Sequence, residues 1–227
     1  MGDDPTVLLT TGAFHSGVRK TVDDLRDRTV LSFRGSDLSQ VRISANGRSD
    51  LVLDREGEGW KIVRPVELRA DTSQVQGLLT SLEGLRAEGF ADGAPTVEQG
   101  LVPPERTITL VPREGEPMEL RIGRTTGDED ARKVFVSRGP AGPIYSIPAQ
   151  LAQGFGKGLD DLRDKSLVSI PRDAVAAVVV TRSDGRGFRI EKADGAWRLA
   201  DAGAVATNQA LLDRFVDDAR SLRGSEV

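Results

Sequence analysis

Few residues in this chain could do chemistry. Histidine occurs once, as His15, and a Ser-His-Asp arrangement needs a nucleophile, base and orienter within hydrogen-bond reach. A repeat described below sets Ala152 against His15, so the scaffold does not require an imidazole there, and a surface or capping role is expected. Cysteine is absent, which removes thiol nucleophiles, thiolate zinc sites and disulfides together. A phosphate-binding loop requires Gly, four residues, then Gly-Lys-Ser/Thr. Here Gly156-Lys157 is followed by Gly158, and Leu151 stands where the first glycine belongs. Gly154, Gly156 and Gly158 also miss the third glycine of a dinucleotide fingerprint, whose place Leu159 takes, and they follow a helical stretch instead of a strand. Gly127, Asp128, Glu129 and Asp130 gather three acids, yet a calcium loop alternates its acids and adds a distant Glu, so a solvated turn is expected. Any two of the 35 acids could sit at the separation glycoside hydrolysis uses, so the sequence defines no such pair. The expectation is no catalytic residue, no metal ligand set and no cofactor.

Two other features are more distinctive. The block Asp23-Asp24-Leu25-Arg26-Asp27 returns as Asp160-Asp161-Leu162-Arg163-Asp164, with charges three and four apart, a spacing that suits a helix surface or a helix-to-strand junction. Either Arg–Asp pairing fixes that junction, or Asp23, Arg26, Asp27, Asp160, Arg163 and Asp164 form a partner surface presented twice. Trp60 and Trp197 divide similarly: a strand tryptophan beside a helix belongs to the core, whereas an exposed one could stack on a sugar or peptide.

These features share one offset. Advancing by 137 residues without a gap also pairs Val41 with Val178, Ile43 with Val180, Leu53 with Ile190, Trp60 with Trp197 and Leu85-Arg86 with Leu222-Arg223. A constant offset marks a duplication. It divides the chain into a first copy, 1–90, an inter-copy β-rich segment, 91–143, and a second copy, 144–227. Residues 91–143 have no counterpart, so the natural protein is expected to start earlier, with the rest of the first unit and a membrane anchor.

Within each copy the apolar period changes from two to 3.6, which separates strands from helix. Residues 40–44, 50–54 and 60–63 read as strands. Asp71 is a plausible N-cap, followed by Val75, Leu78, Leu79, Leu82 and Leu85 on one helical face; Leu212, Phe215, Val216, Ala219 and Leu222 repeat that stripe. Four more strands are expected at 107–111, 118–122, 134–137 and 144–147, then a short helix over 148–157. Hairpin-length connections are too short for parallel crossovers. The fold class expected is α+β: a tandem repeat of antiparallel β-meanders, each packed with an amphipathic helix, joined by a further antiparallel β segment. The helix over 71–86 carries Gln74, Gln76, Ser81 and Glu83 on its polar face, unlike the Lys/Arg-rich face of a membrane-lying helix.

Composition narrows the class. Apolar residues make up 38% and glycine adds 25 residues, as in globular domains rather than disordered ones. The longest apolar run, 174–180, falls far short of the roughly 20 residues that span a bilayer. With 31 basic against 35 acidic residues, a net charge of -4 and scattered aromatics, no nucleic-acid surface is expected.

The ordered motifs resemble those of domain-of-unknown-function family 4340. They are the Leu-Arg-Asp-Arg/Lys starts at Leu25 and Leu162, the glycine turns before Trp60 and Trp197, and Ala70-Asp71. Gly100-Leu101-Val102-Pro103-Pro104 and Ile122-Gly123 complete the set. The resemblance implies a membrane-anchored, extracytoplasmic protein of the periplasm or cell envelope, encoded beside an ABC transporter ATPase, its permease and a gliding-motility-type auxiliary protein. It implies a noncatalytic accessory or interaction module with those proteins as partners. The alternative is a glycan- or lipid-binding module using a groove between the copies.

Overall fold

The computed structural model describes residues 19–45, 50–127, 132–168, 170–200 and 207–224. His15, the turn at Asn46-Gly47 and Asp128, Glu129 and Asp130 lie outside the described residues. The chain divides into two compact units, residues 1–163 and 164–227, and its class is α+β, mostly antiparallel sheet with a few helices.

The first unit opens with the single-turn helix α1 (Val22–Leu25) and a 3-10 turn at Gly35–Asp37. Strands β1 (Leu38–Ala45), β2 (Leu51–Glu56), β3 (Gly59–Arg64) and β4 (Leu68–Arg69) follow. Helix α2 (Thr72–Glu83) leads to β5 (Gly89–Ala91), β6 (Arg106–Pro112), β7 (Met118–Thr126), β8 (Lys133–Arg138) and β9 (Ile144–Pro148). Two short helices, α3 (Ala149–Gln153) and α4 (Leu159–Leu162), complete it. The nine strands form one sheet in the order β4-β3-β2-β1-β6-β7-β8-β9-β5.

Alternation sets the sheet register. Val41 lies opposite Leu110 and Ile43 opposite Ile108, and all four are buried while Arg42 between them is exposed; a one-residue slip would turn this apolar row to water. Asp71 caps α2, its carboxylate accepting from the backbone N–H groups of Ser73 and Gln74 at 3.1 and 3.2 Å. The helix buries Val75, Leu78, Leu79 and Leu82 in the same cluster as Val41, Leu53 and Ile62. Each such burial contributes about 1.5–3 kcal/mol. The helix ends at Glu83, two residues before the last member of its predicted stripe, because Leu85 leaves it to receive the Val30 amide.

Two motif glycines sit where a chain crossing leaves no room. A Cβ on Gly123 would meet the Gln99 carbonyl oxygen at 2.0 Å, and Gly100, at φ +69, faces the Arg124 amide. That approach lets the Arg124 N–H donate to the Gln99 carbonyl at 3.1 Å.

The second unit comprises a 3-10 turn at Arg172–Ala174, β10 (Ala177–Thr181), β11 (Gly187–Ala193), β12 (Ala196–Leu199) and α5 (Gln209–Arg220). Its sheet runs β10-β11-β12. Its core is small: Val175, Ile190, Trp197 and Val216, with Val178, Phe188, Leu199, Leu212 and Phe215 partly buried around them. Leu222, predicted to lie on the buried stripe, is 52% exposed.

The offset of 137 recurs in the backbone. α2 and α5 begin and end at equivalent positions, as do α1 and α4 and the two 3-10 turns. Small hydrogen bonds repeat as well. The Val30 N–H donates to Leu85 O and the Leu167 N–H to Leu222 O, while Ala87 N–H donates to Arg28 O and Gly224 N–H to Lys165 O.

The compact units do not begin where the sequence copies begin. The copy boundary between 143 and 144 falls inside the first unit, and the unit boundary follows Arg163. β9 pairs with β8 across five residues and with β5 across three. Phe155 and Leu162, downstream of β9, are 1% and 0% exposed in the first unit's cluster. The opening segment of the second copy thus closes the first unit. β4 and β5 were not foreseen, being only two and three residues long.

Candidate interaction surface

The repeated acidic block builds the same joint twice. Thr21 caps α1: its backbone N–H donates to the Asp24 carboxylate at 2.8 Å, and its hydroxyl is bonded to the same side chain. At the equivalent joint, the Gly158 N–H donates to Asp161 at 2.8 Å. Arg26 pairs with Asp23 at 3.2 Å and Arg163 with Asp160 at 2.8 Å. The Asp27 carboxylate accepts from the Thr29 amide and that of Asp164 from the Ser166 amide, both at 2.9 Å. These are turns in which a carboxylate binds the backbone two residues on. The candidate partner residues are therefore organised chiefly as junction-building pairs.

Hydrogen bonding also holds the pKa of two of these carboxyls below the ordinary aspartate value. For Asp27 the Thr29 backbone N–H is the main cause, followed by the Thr29 side chain. For Asp24 the Thr21 backbone leads and the Thr21 side chain follows. A pKa lower in the folded state means the stabilisation is present above the unfolded value and is lost as pH falls through the folded one. A carbon-detected NMR titration should find both midpoints below the ordinary aspartate value, with the Thr29 amide losing its protection only on further acidification. Midpoints at or above that value would contradict the hydrogen bonding described.

The two joints differ in what surrounds them. At the second, the Asp71 N–H donates to Leu162 O at 2.8 Å, Ala70 and Arg163 form a β-bridge, and Leu162 is wholly buried. Lys157 reaches α2, its Nζ donating to Gln74 Oε1 at 2.8 Å, so the Gly156-Lys157 pair serves packing. At the first, Arg26 lies with its guanidinium carbon 4.0 Å from the Phe90 ring centroid. Val22 and Leu25 stand 79% and 75% exposed. The same leucine is a core residue in one copy and a surface residue in the other. This surface is the pair Val22 and Leu25 beside the Asp23–Arg26 ion pair.

Trp60 and Trp197 are core residues, 4% and 3% exposed. A large aromatic on the helix-facing side of a short strand is the best available filler for that layer. A basic side chain lies over each, Arg55 at 5.2 Å and its repeat equivalent Lys192 at 5.9 Å from the ring centroid. Sequence reasoning missed Phe90, whose role depends on β5 joining β9, a contact distant in sequence.

Two surface clefts lie among the described residues. One lies between the β1–β2 end and α4, lined by Ile43, Leu51, Pro65, Arg106 and Asp161; another, in the second unit, is lined by Arg172, Lys192, Trp197 and Asp213. Arg106 is engaged there, donating to Lys157 O at 3.1 Å. Among the described residues no group of three or more His, Cys, Asp or Glu could hold a metal ion, and no helix is long and apolar enough to cross a membrane.

A duplicated α+β scaffold with an exposed copy of its own packing joint defines the class. The chain belongs to the family described as Domain of unknown function (DUF4340), which matches residues 1–102 and again 60–227. The repeated match agrees with the duplication seen in the backbone. No curated protein and no solved structure matches the chain.

Proposed function

We propose that this protein is a noncatalytic accessory module of an ABC transporter complex, acting through protein contacts. It works on the extracytoplasmic side, in the periplasm or cell envelope, and is membrane-anchored in its full-length form. The repeated unit is a three-strand meander backed by an amphipathic helix, a frame that presents joints rather than a reactive cleft. Family membership supports the transporter association. The observation that carries the docking role is the unequal burial of one repeated residue, Leu162 at 0% against Leu25 at 75%. An apolar side chain ringed by charges is a common form of protein contact site. Leu162 supplies the template for its engagement, a leucine seated beside a strand end and a helix N-cap.

The test is capture of the tagged full-length protein from native membranes after gentle crosslinking, with mass spectrometry of what copurifies. Enrichment of an ATPase and permease pair is expected, and Leu25→Asp should reduce it at least tenfold. Equal enrichment by that variant would move the docking site elsewhere on the module. Capture of neither subunit would overturn the transporter assignment.

A further inference from the structure

The two copies differ in how their 3-10 turn meets the helix. In the first unit the turn at Gly35–Asp37 lies against α2: Gly35 is buried, and a Cβ on it would stand 3.7 Å from Gln76 Nε2 and from Leu79 Cβ. The offset of 137 puts Arg172 in place of Gly35, and the equivalent turn buries none of its residues. Arg172 instead reaches across to α5, its Nη2 2.6 Å from Asp213 Oδ1 and its Nε 3.4 Å from Asp217 Oδ1. Beside it lies a cleft of about 360 Å³, lined by Arg172, Asp173, Lys192, Gly195, Trp197 and Asp213. That volume falls within the roughly 300–1,000 Å³ of small-molecule sites. Two further exchanges shape it. Gly195 stands where the first copy has Glu58, which removes a side chain from the rim. Lys192 stands where the first copy has Arg55, whose Nε donates to the Gly57 carbonyl at 3.2 Å. The equivalents Ser36, Glu58 and Gln76 are exposed in the first unit, so this face stays open beside a sheet of nine strands.

We propose that this cleft binds a small zwitterion of the amino-acid or dipeptide class. The charges carry the assignment. Arg172 is balanced by Asp213 and Asp217, so it braces the cleft rather than drawing in an anion. Among the described residues neither the Lys192 ammonium nor the Asp173 carboxylate has an ion-pair partner. The cleft therefore offers one unanswered cation and one unanswered anion, which suit a ligand carboxylate and a ligand ammonium. Trp197 supplies the apolar part of the wall, which suits an aliphatic side chain. A ligand with one charge leaves the opposite group unanswered, and a neutral sugar leaves both, so charge matching sets the selectivity. Asp173 and Lys192 are exposed, and solvent screening of such groups keeps the affinity modest.

Heteronuclear NMR on the full chain tests this, because the chain has two tryptophans and Trp197 lines the cleft. L-leucine and glycyl-L-leucine, added separately, should shift the Trp197 indole resonance saturably and leave that of Trp60 in place. Leucinamide and isocaproate, each lacking one charge, should bind severalfold more weakly, and so should glucose. Lys192→Met and Asp173→Asn should each weaken leucine binding severalfold, the scale of one exposed charge pair, while melting as the parent does. Absence of a saturable Trp197 shift with both probes overturns the proposal. So does leucine binding that survives both substitutions, or an equal response to either single-charge analogue. Tighter binding of glucose than of either probe would overturn it in favour of a sugar site.

Discussion

Leu162→Ala is expected to destabilise the first unit by about 2–5 kcal/mol, lowering its melting midpoint on the order of 10 °C, whereas Leu25→Ala should leave it unchanged. The two leucines share a motif, a helical turn and an Arg–Asp pair, so local structure predicts equal effects. Burial predicts the contrast: Leu162 is 0% exposed in a cluster that also contains Val75 and Leu79, while Leu25 is 75% exposed. Truncation at the buried site removes apolar contact and leaves a cavity under the N-terminal turn of α2, where the Asp71 amide binds Leu162 O. Truncation at the exposed site removes contact only with water. Calorimetry on the two variants decides it. Equal losses would mean that Leu25 also packs against the fold, which would remove the basis for the docking surface.

Trp197→Ala should unfold the second unit under conditions that leave the first intact. Among the described residues four form its buried core, Val175, Ile190, Trp197 and Val216, and the tryptophan is the largest of them. Losing it costs about 3–5 kcal/mol, against roughly 6 kcal/mol for a unit of this size at about 0.1 kcal/mol per residue. The chain has two tryptophans, so the variant retains Trp60 as a fluorescent reporter of the first unit. Amide exchange over β11 and α5 should rise toward unfolded rates while Trp60 keeps its buried emission. Retained protection of α5 would show that the second unit draws stability from contacts beyond its own cluster.

Much of this architecture was legible in the sequence. A helix with apolar residues three and four apart behind an Asp cap declares its period and its start, and Asp71 holds that position; the Asn208 cap of α5 came from the structure. The longer strands were legible because one residue in two faces the core, whereas β4 and β5, two and three residues long, show no such alternation. The constant offset revealed the duplication because no insertion disturbs it. The division into units was not legible, because a repeat fixes a period and leaves its phase arbitrary. Residues 144–163 resemble the start of a copy, and only the pairing of β9 with β5 and β8 shows which core they complete. Burial of the two tryptophans was equally hidden, since type and spacing suit a core filler and a ligand platform alike.

The segment running from β9 through α4 begins one copy and seals the copy before it. An in-frame duplication of a whole copy therefore carries its own closure, and recombination between copies can lengthen or shorten the gene without stripping an existing unit of its last strand. Dissection has the opposite constraint. A cut at the apparent sequence boundary after residue 143 would deprive the first unit of β9, Phe155 and Leu162 at once, whereas a cut after Arg163 follows the boundary between the two compact units.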